Sequence, residues 1–447
     1  MIVAAAARGR VGARLRLGLG LALLAVPLPV EAQPAPTPAS VAVAPVTSSA
    51  PAAADEAQDT ARRLEAFLAT LRPDALAAGI KPETYDRTVA GLQPDETILP
   101  LLGSQPEHVF TPWDYMNRLV SDTRIATGRQ KLAELAVVLA EVEARHGVDA
   151  RVVVAIWGVE SSFGTLPGTR SVVRSLATLA VADARRPAFW RKELLTALQI
   201  LDRGDIAPER MTGSWAGAMG HTQFMPTSYM LHAVDHDGDG RRDIWTSVPD
   251  ALASTAAYLK RSGWKTGEAW GTEVLLPAGF DYAKADPEAV RSFAEWQGLG
   301  LELPWELQLE SGGRDWSREL LASTLLLPAG MHGPAFLVAA NFKAILRYNN
   351  ATAYALAVGH LADRLARRGA LVALWPIDDP PLDRAGRLEL QQRLAAAGLD
   401  VGMVDGVVGA STRNAVRVWQ KRQRLPEDGW PGTRLLSLLR APAGSSR

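Results

Sequence analysis

The sequence predicts a mainly α (α+β) chain: one large helical domain with a small β element, then a small three-helix domain at the C-terminus. Three observations carry this. Apolar residues recur at helical spacing through most of residues 59–376. Strand signals are confined to two short stretches, 273–276 and 306–309. Near the C-terminus a turn motif occurs twice, Asp405-Gly406-Val407-Val408-Gly409 and Asp428-Gly429-Trp430-Pro431-Gly432, each opening a helix.

Composition bounds the function. A chain of 447 residues has room for two or more domains with full cores. Its 48 basic residues balance 48 acidic ones, so no global field points to nucleic acid. There is no cysteine, which excludes disulfides, thiolate metal sites, a cysteine nucleophile and a lipoprotein anchor. Thirteen tryptophans leave aromatic surface to spare; such platforms suit sugars, although buried Trp is the commoner use.

Residues 1–32 read as a secretory signal. Arg8, Arg10, Arg14 and Arg16 precede the apolar run Leu17–Val30, and Val30-Glu31-Ala32 ends in the small residue that cleavage prefers. An uncleaved anchor is the alternative, against which stand the shortness of the run and its breaks at Pro27 and Pro29. Residues 33–58 are rich in Ala, Pro, Ser and Val and read as a linker. In the large domain, 59–376, Arg63, Leu64, Phe67, Leu68 and Leu71 start the helical pattern. Leu132, Leu135, Val138, Leu139 and Val142 give one amphipathic helix stopped by Gly147. Further helices are expected at Phe189–Leu201, Pro249–Ser262, Phe336–Tyr348 and Tyr354–Arg368. Residues 377–384 read as a second linker, and 385–441 as the three-helix unit, with helices near Leu388–Ala397, Thr412–Gln420 and Leu435–Leu439.

The chemistry centres on Val152–Gly164. Asp149 can cap a helix here and Gly164 can stop it, with Val153, Ile156 and Glu160 on one face. A carboxyl at the end of an apolar stripe is pushed toward its neutral form, as a proton donor to a glycosidic oxygen requires. A structural Glu paired with an Arg is the bland reading of the same residue. A second stretch, Ser214–Tyr229, holds Gly217 and Gly220, which admit close backbone approach, and Gln223, which offers a donor and an acceptor to sugar hydroxyls or amides. A third, Asp235-His236-Asp237-Gly238-Asp239-Gly240, alternates oxygen ligands with a glycine at the sixth position, like the start of a calcium loop. Its twelfth position is Thr246, so the usual bidentate Glu is missing, and an Asp/Gly turn bonded to its own backbone explains the stretch equally well.

Several motifs in order then resemble the lytic murein transglycosylase B family. They are Gly158-Val159-Glu160-Ser161-Ser162-Phe163-Gly164, Ala216–Gly220, Gln223–Pro226, Asp237–Gly240 and Arg347-Tyr348-Asn349. Weaker matches lie at Phe67–Arg72, Leu176–Leu179, Arg185-Arg186 and Asn341-Phe342, so the resemblance spans about residues 60–375. It implies a lysozyme-like domain with Glu160 as the single catalytic acid and base. Ser214 and Gln223 would line the cleft, and Tyr115, Tyr258, Tyr348 and Tyr354 would surround the sugar groove. It also implies cleavage of the MurNAc-β-1,4-GlcNAc bond of peptidoglycan with a 1,6-anhydromuramyl product. No cofactor would be required, and a structural Ca2+ could sit on Asp235, Asp237, Asp239 and Asp250, with Asp243 a spare candidate. His221-Thr222 and Ser161-Ser162 depart from the family pattern. The C-terminal unit resembles a peptidoglycan-binding domain through Leu390-Gln391, Leu394, Gly398, Asp405-Gly406, Gly409, Thr412 and Trp419-Gln420, although Leu435 replaces Thr412 in the second copy. Expected partners are glycan strands and other cell-wall enzymes, and the expected location is the periplasm. A muramidase-type hydrolase and a non-catalytic wall-binding scaffold are the alternative functions.

Overall fold

The computed structural model describes residues 50–102, 110–286, 288–305, 307 and 314–441. The signal-like segment, and the linker up to residue 49, lie outside them. The fold is built around one helix, Ala150–Ser161. Asp149 caps it, accepting from the Arg151 N–H at 2.8 Å, as a short acceptor at that position should. Every residue from Val152 to Gly158 is buried. A helix apolar all round belongs inside a protein, and here Thr352–Leu365, Asp122–Glu134 and Val248–Arg261 enclose it. Val153 and Ile156 are fully buried, each such side chain stabilising by roughly 1.5–3 kcal/mol.

A second core lies under Ala50–Ala77, Val172–Ala182 and Pro187–Arg203, with Leu64, Leu68, Leu71, Leu176 and Leu194 at its centre. The first of these helices begins at Ala50, inside the stretch expected to be linker. Tyr348 packs against both cores and so sits at their junction.

The sheet content is small. Strands β1 (Arg170–Ser171) and β2 (Thr212–Gly213) pair antiparallel. Strands β3 (Gly271–Val274), β4 (Thr324–Leu326) and β5 (Ala335–Val338) form an antiparallel sheet in the order β3-β5-β4, backed by Phe280, Trp296, Trp316 and Leu320. The expected strand at 273–276 corresponds to β3, shifted by two residues. The expected strand at 306–309 lies outside the described residues, apart from position 307. Residues 336–338 were expected to open a helix, but they belong to β5, and the helix starts at Ala340. A four-residue apolar run carries no period that separates strand from helix. The helix expected through Leu132–Val142 is two helices, Asp122–Glu134 and Ala136–His146, interrupted at Leu135. Its stop at Gly147, in the left-handed region, is where the sequence puts it.

The C-terminal unit has helices Arg384–Ala396, Ala410–Arg422 and Thr433–Arg440 around Leu390, Leu394, Val416 and Leu436. The repeat is explicit in its bonds. Gln391 Oε1 accepts from the Gly406 N–H at 2.8 Å, and Gln420 Oε1 accepts from the Gly429 N–H at 2.9 Å. Asp405 and Asp428 close the two turns by accepting from the N–H of Val407 and Trp430. The 377–384 stretch is not a free linker. Asp379 is buried, its carboxylate accepts from Thr433 Oγ1 and the Arg434 N–H, and its carbonyl accepts from Trp430 Nε1.

Candidate active site

The central helix delivers Glu160 in its last turn, partly exposed where the residues before it are buried. The Tyr354 hydroxyl donates to Glu160 Oε1 at 2.6 Å. Tyr354 is near the start of Thr352–Leu365, the helix packed closest along the central one, so tertiary packing sets this distance. Burial, and then the Glu160 charge, push the Tyr354 hydroxyl well above the usual tyrosine value. The same two causes in the same order act on Tyr348. Both phenols therefore stay protonated, and Tyr354 remains a donor at any physiological pH. Tyr115 also lies close enough to Tyr354 for its charge to register there.

Behind Glu160 the chain makes a tight turn. Ser162, Phe163 and Gly164 have φ of 50°, 57° and 81°, and a non-glycine residue in that region costs on the order of 1 kcal/mol or more. The turn is held from inside by Ser161. Its hydroxyl donates to the His221 carbonyl at 2.8 Å and accepts from the Gly164 N–H at 3.1 Å. Gly164 is required twice: its φ is positive, and a Cβ there would lie 2.2 Å from His221 Cε1. Trp157 Nε1 donates to His221 Nδ1 at 2.9 Å, so this imidazole is neutral and carries its proton on Nε2. Burial holds its pKa below the usual histidine value, which agrees. Arg124 Nε donates to the Gly158 carbonyl at 3.1 Å, fixing the same helix end from the other side.

The Ser214–Tyr229 stretch lies against this turn. Gln223, itself at φ 51°, donates its amide N–H groups to the Pro167 and Gly220 carbonyls at 2.8 Å each. Two acceptors on one nitrogen fix the amide orientation, and among the described residues its Oε1 accepts no hydrogen bond. Ser214 Oγ accepts from the Ala218 N–H at 3.1 Å and closes its own loop. Gly217 of that loop sits on Leu176, where a Cβ would come within 2.6 Å, which accounts for both motifs together. The Tyr348 hydroxyl donates to the Thr222 carbonyl at 2.7 Å, and the Tyr258 hydroxyl donates to the Arg347 carbonyl. Their rings stand 4.7 Å apart, and each lies 5.6 Å from Phe224. Buried Glu193 accepts from the Thr227 N–H and hydroxyl, capping the helix that follows Gln223.

Of the sequence-derived candidates, the structure joins Tyr354 to Glu160 directly and places Tyr348 and Tyr115 within electrostatic reach of that pair. Tyr258 and Ser214 spend their hydroxyls on backbone groups. Sequence reasoning did not find the Trp157–His221 bond, the Arg124 contact or Glu193. The only available signal was that His221 departs from the family pattern. Asn341 of a weaker motif is structural: fully buried, it clasps the N–H and C=O of Lys265 and the C=O of Glu268.

Of the four acids expected to hold a cation, Asp235, Asp237 and Asp250 converge, each offering an oxygen within 4.8 Å of the others. Asp239 is not part of that group; its Oδ1 accepts from the Arg241 N–H at 2.8 Å. The spare candidate Asp243 binds Trp245 and Thr246. An all-oxygen set of three carboxylates suits a hard cation such as Ca2+. The carboxylates are also bonded to backbone: Asp235 accepts from Gly238 and Gly240, and fully buried Asp250 accepts from His236 and Asp243.

Comparison with known proteins identifies the family. The family model of the transglycosylase SLT domain matches residues 63–363, and that of a putative peptidoglycan binding domain matches 383–439. The crystal structure of SltB3 from Pseudomonas aeruginosa in complex with NAG-anhNAM-pentapeptide is 50% identical, with a TM-score of 0.79, covering 85% of this chain and 99% of that one. The membrane-bound lytic murein transglycosylase B of Escherichia coli K12 is 34% identical over 226 residues, 49% of this chain and 58% of that protein, so the chain spans little over half that relative's length. The E. coli lytic transglycosylase Slt35, solved in complex with calcium, is 26% identical with a TM-score of 0.56, covering 69% of this chain and 93% of that one. A helical fold around one Glu–Tyr pair, matched by a family model over some three hundred residues, places the chain in the family of SLT-domain lytic transglycosylases, enzymes of peptidoglycan.

Proposed function

We propose that the chain cleaves the MurNAc-β-1,4-GlcNAc bond of peptidoglycan without water, with Glu160 as acid and then base. The observation that carries this reading is the Tyr354 hydroxyl on Glu160 Oε1. It holds the Glu160 carboxyl in place for the proton transfers. Glu160 gives its proton to the bridging oxygen as the C1–O bond breaks. The substrate's acetamido group stabilises the cation. The carboxylate then takes the proton of the muramyl C6 hydroxyl, whose oxygen closes on C1, so the enzyme returns to its starting state with a 1,6-anhydro ring formed. One carboxyl serves both halves, where ordinary glycosidases need two. The buried residues preceding Glu160 limit competing water. SltB3 bound to NAG-anhNAM-pentapeptide supports the anhydro product by analogy.

On the same reading Gln223 Oε1 meets a sugar N–H or hydroxyl, and Tyr115 shapes the groove. The C-terminal unit holds the wall, and the N-terminal segment directs export to the periplasm. Among the described residues no helix is long and apolar enough to cross a membrane. Ca2+ would rest on Asp235, Asp237 and Asp250 as a structural ion, and no step of the reaction uses it.

The test is Glu160→Gln. The variant should lose turbidity-measured clearing of purified sacculi, yet pellet with them like the parent. Clearing near the parental rate would overturn the assignment.

A further inference from the structure

The C-terminal unit meets the large domain along a seam, and the two copies of its turn motif divide the work there. The second copy docks the unit. Asp428 Oδ2 accepts from the Met331 N–H at 2.9 Å, and Trp430 packs with Trp113 and Ala329. Gly330 leaves the room this needs, since a Cβ there would come within 2.6 Å of both Asp428 and Trp430. The first copy is left facing a groove beside the seam, which Gly406 and Val407 help to line.

That groove is cationic. Arg384, Arg387 and Arg413 line it with Trp430, and so do Pro112 and Ala353, which adjoin the segments carrying Tyr115 and Tyr354. Among the described residues none of the three arginines pairs with a carboxylate. Arg387 donates to the Gly406 and Leu382 carbonyls, Arg384 makes a long bond to the Asp405 carbonyl, and among the described residues the Arg413 guanidinium makes no hydrogen bond. Elsewhere on this unit arginines find acids: Arg393 and Arg440 share Glu389, and Arg434 pairs with Asp378. Among the described residues Asp383 is the one acid lining the groove, and it caps its own helix through Gly386. Asp428, near Arg413, is taken up by Gln420, Trp430 and Met331. Burial, and then Arg417 one turn along, lower the Arg413 pKa, with Asp428 acting the other way, as for a guanidinium short of an anion. Unpaired guanidinium groups beside an indole form a receptor for a planar carboxylate on a peptide.

We propose that this groove is a carboxylate-reading site for the stem peptide of a peptidoglycan strand, with Arg413 forking the free C-terminal carboxylate of an uncrosslinked stem, and Arg387 and Arg384 supplying the surrounding positive charge. The proposal rests on the reading that the C-terminal unit binds the wall, and makes that binding depend on an unblocked stem end. The docked second copy fixes the site relative to the Glu160 domain, so stem capture and cleavage act on strands in one register.

The experiment is calorimetry of the full chain with a sugar-free stem pentapeptide, as the free acid and as the C-terminal amide. The acid should bind at least ten-fold tighter than the amide, and more weakly as salt rises. Arg413→Ala should bring the acid down to the affinity of the amide, while Arg440→Ala on the outer face leaves it unchanged. Equal binding of acid and amide, or no binding of either, overturns the proposal even if Arg413→Ala fails to fold. Pelleting of the parent with sacculi in that case leaves wall binding standing and removes only this site. Failure of the parent to pellet removes the wall-binding reading itself.

Discussion

Tyr354→Phe removes one oxygen and keeps the ring. The side chain is 1% exposed and packed in the central core, so the substitution leaves the packing intact and deletes the bond to Glu160 Oε1. A hydrogen bond to a charged group contributes about 1.5–3 kcal/mol. At about 1.4 kcal/mol per decade of rate, kcat/KM should fall about 10- to 150-fold if the bond is needed in the transition state. The bond assists the first proton transfer, because it favours the carboxylate, and opposes the second. It also holds the carboxyl in place, and that requirement spans both steps. A loss therefore dominates. The assay is turnover of a short soluble glycan, with a thermal melt to show that the variant folds. A folded variant within about three-fold of the parental rate, or a faster one, would refute the role of the Glu160–Tyr354 pair.

Two further outcomes follow from the same region and its support. Gly164→Ala should cost about 1–3 kcal/mol from positive φ alone, plus the clash with the His221 ring; adding His221→Ala should relieve the clash and not the φ cost, read as a partial recovery of melting temperature. Asp183 is buried, which raises its pKa, but bonds from Arg185 and Trp190 outweigh this and the net value is lowered. A carboxyl lowered on folding gives stability that is present above its unfolded value, near 3.9, and lost as pH falls through the folded value. Asp183→Asn should therefore cost about 1–3 kcal/mol at neutral pH and converge with the parent below about pH 4; a pH-independent gap in urea melts would contradict this.

Local signals reached the elements with long periods and clear ends. Asp149, Gly147 and the doubled Asp-Gly turns sit where caps and turns form, and the structure uses them so. Short apolar runs were not legible, because β5 and the start of a helix look alike over four residues. The break at Leu135 carries no proline or glycine to announce it. The place of Glu160 at the end of an apolar helix was legible, while its expected role came from the family resemblance. Its partner Tyr354 was reachable only through family resemblance, since 194 residues separate them. The Trp157–His221 bond and the arginine groove depend on packing between distant segments, which no local pattern records. The cation candidates divided as backbone geometry decides: Asp250, buried at a helix start, joins Asp235 and Asp237, while Asp239 turns to its own backbone.

Mass spectrometry of sacculi digested by the purified protein tests the central claim most directly. Muropeptides ending in 1,6-anhydromuramic acid are the expected products. Reducing-end muramic acid, heavier by one water, would contradict it, making the enzyme a hydrolase that needs a second carboxylate.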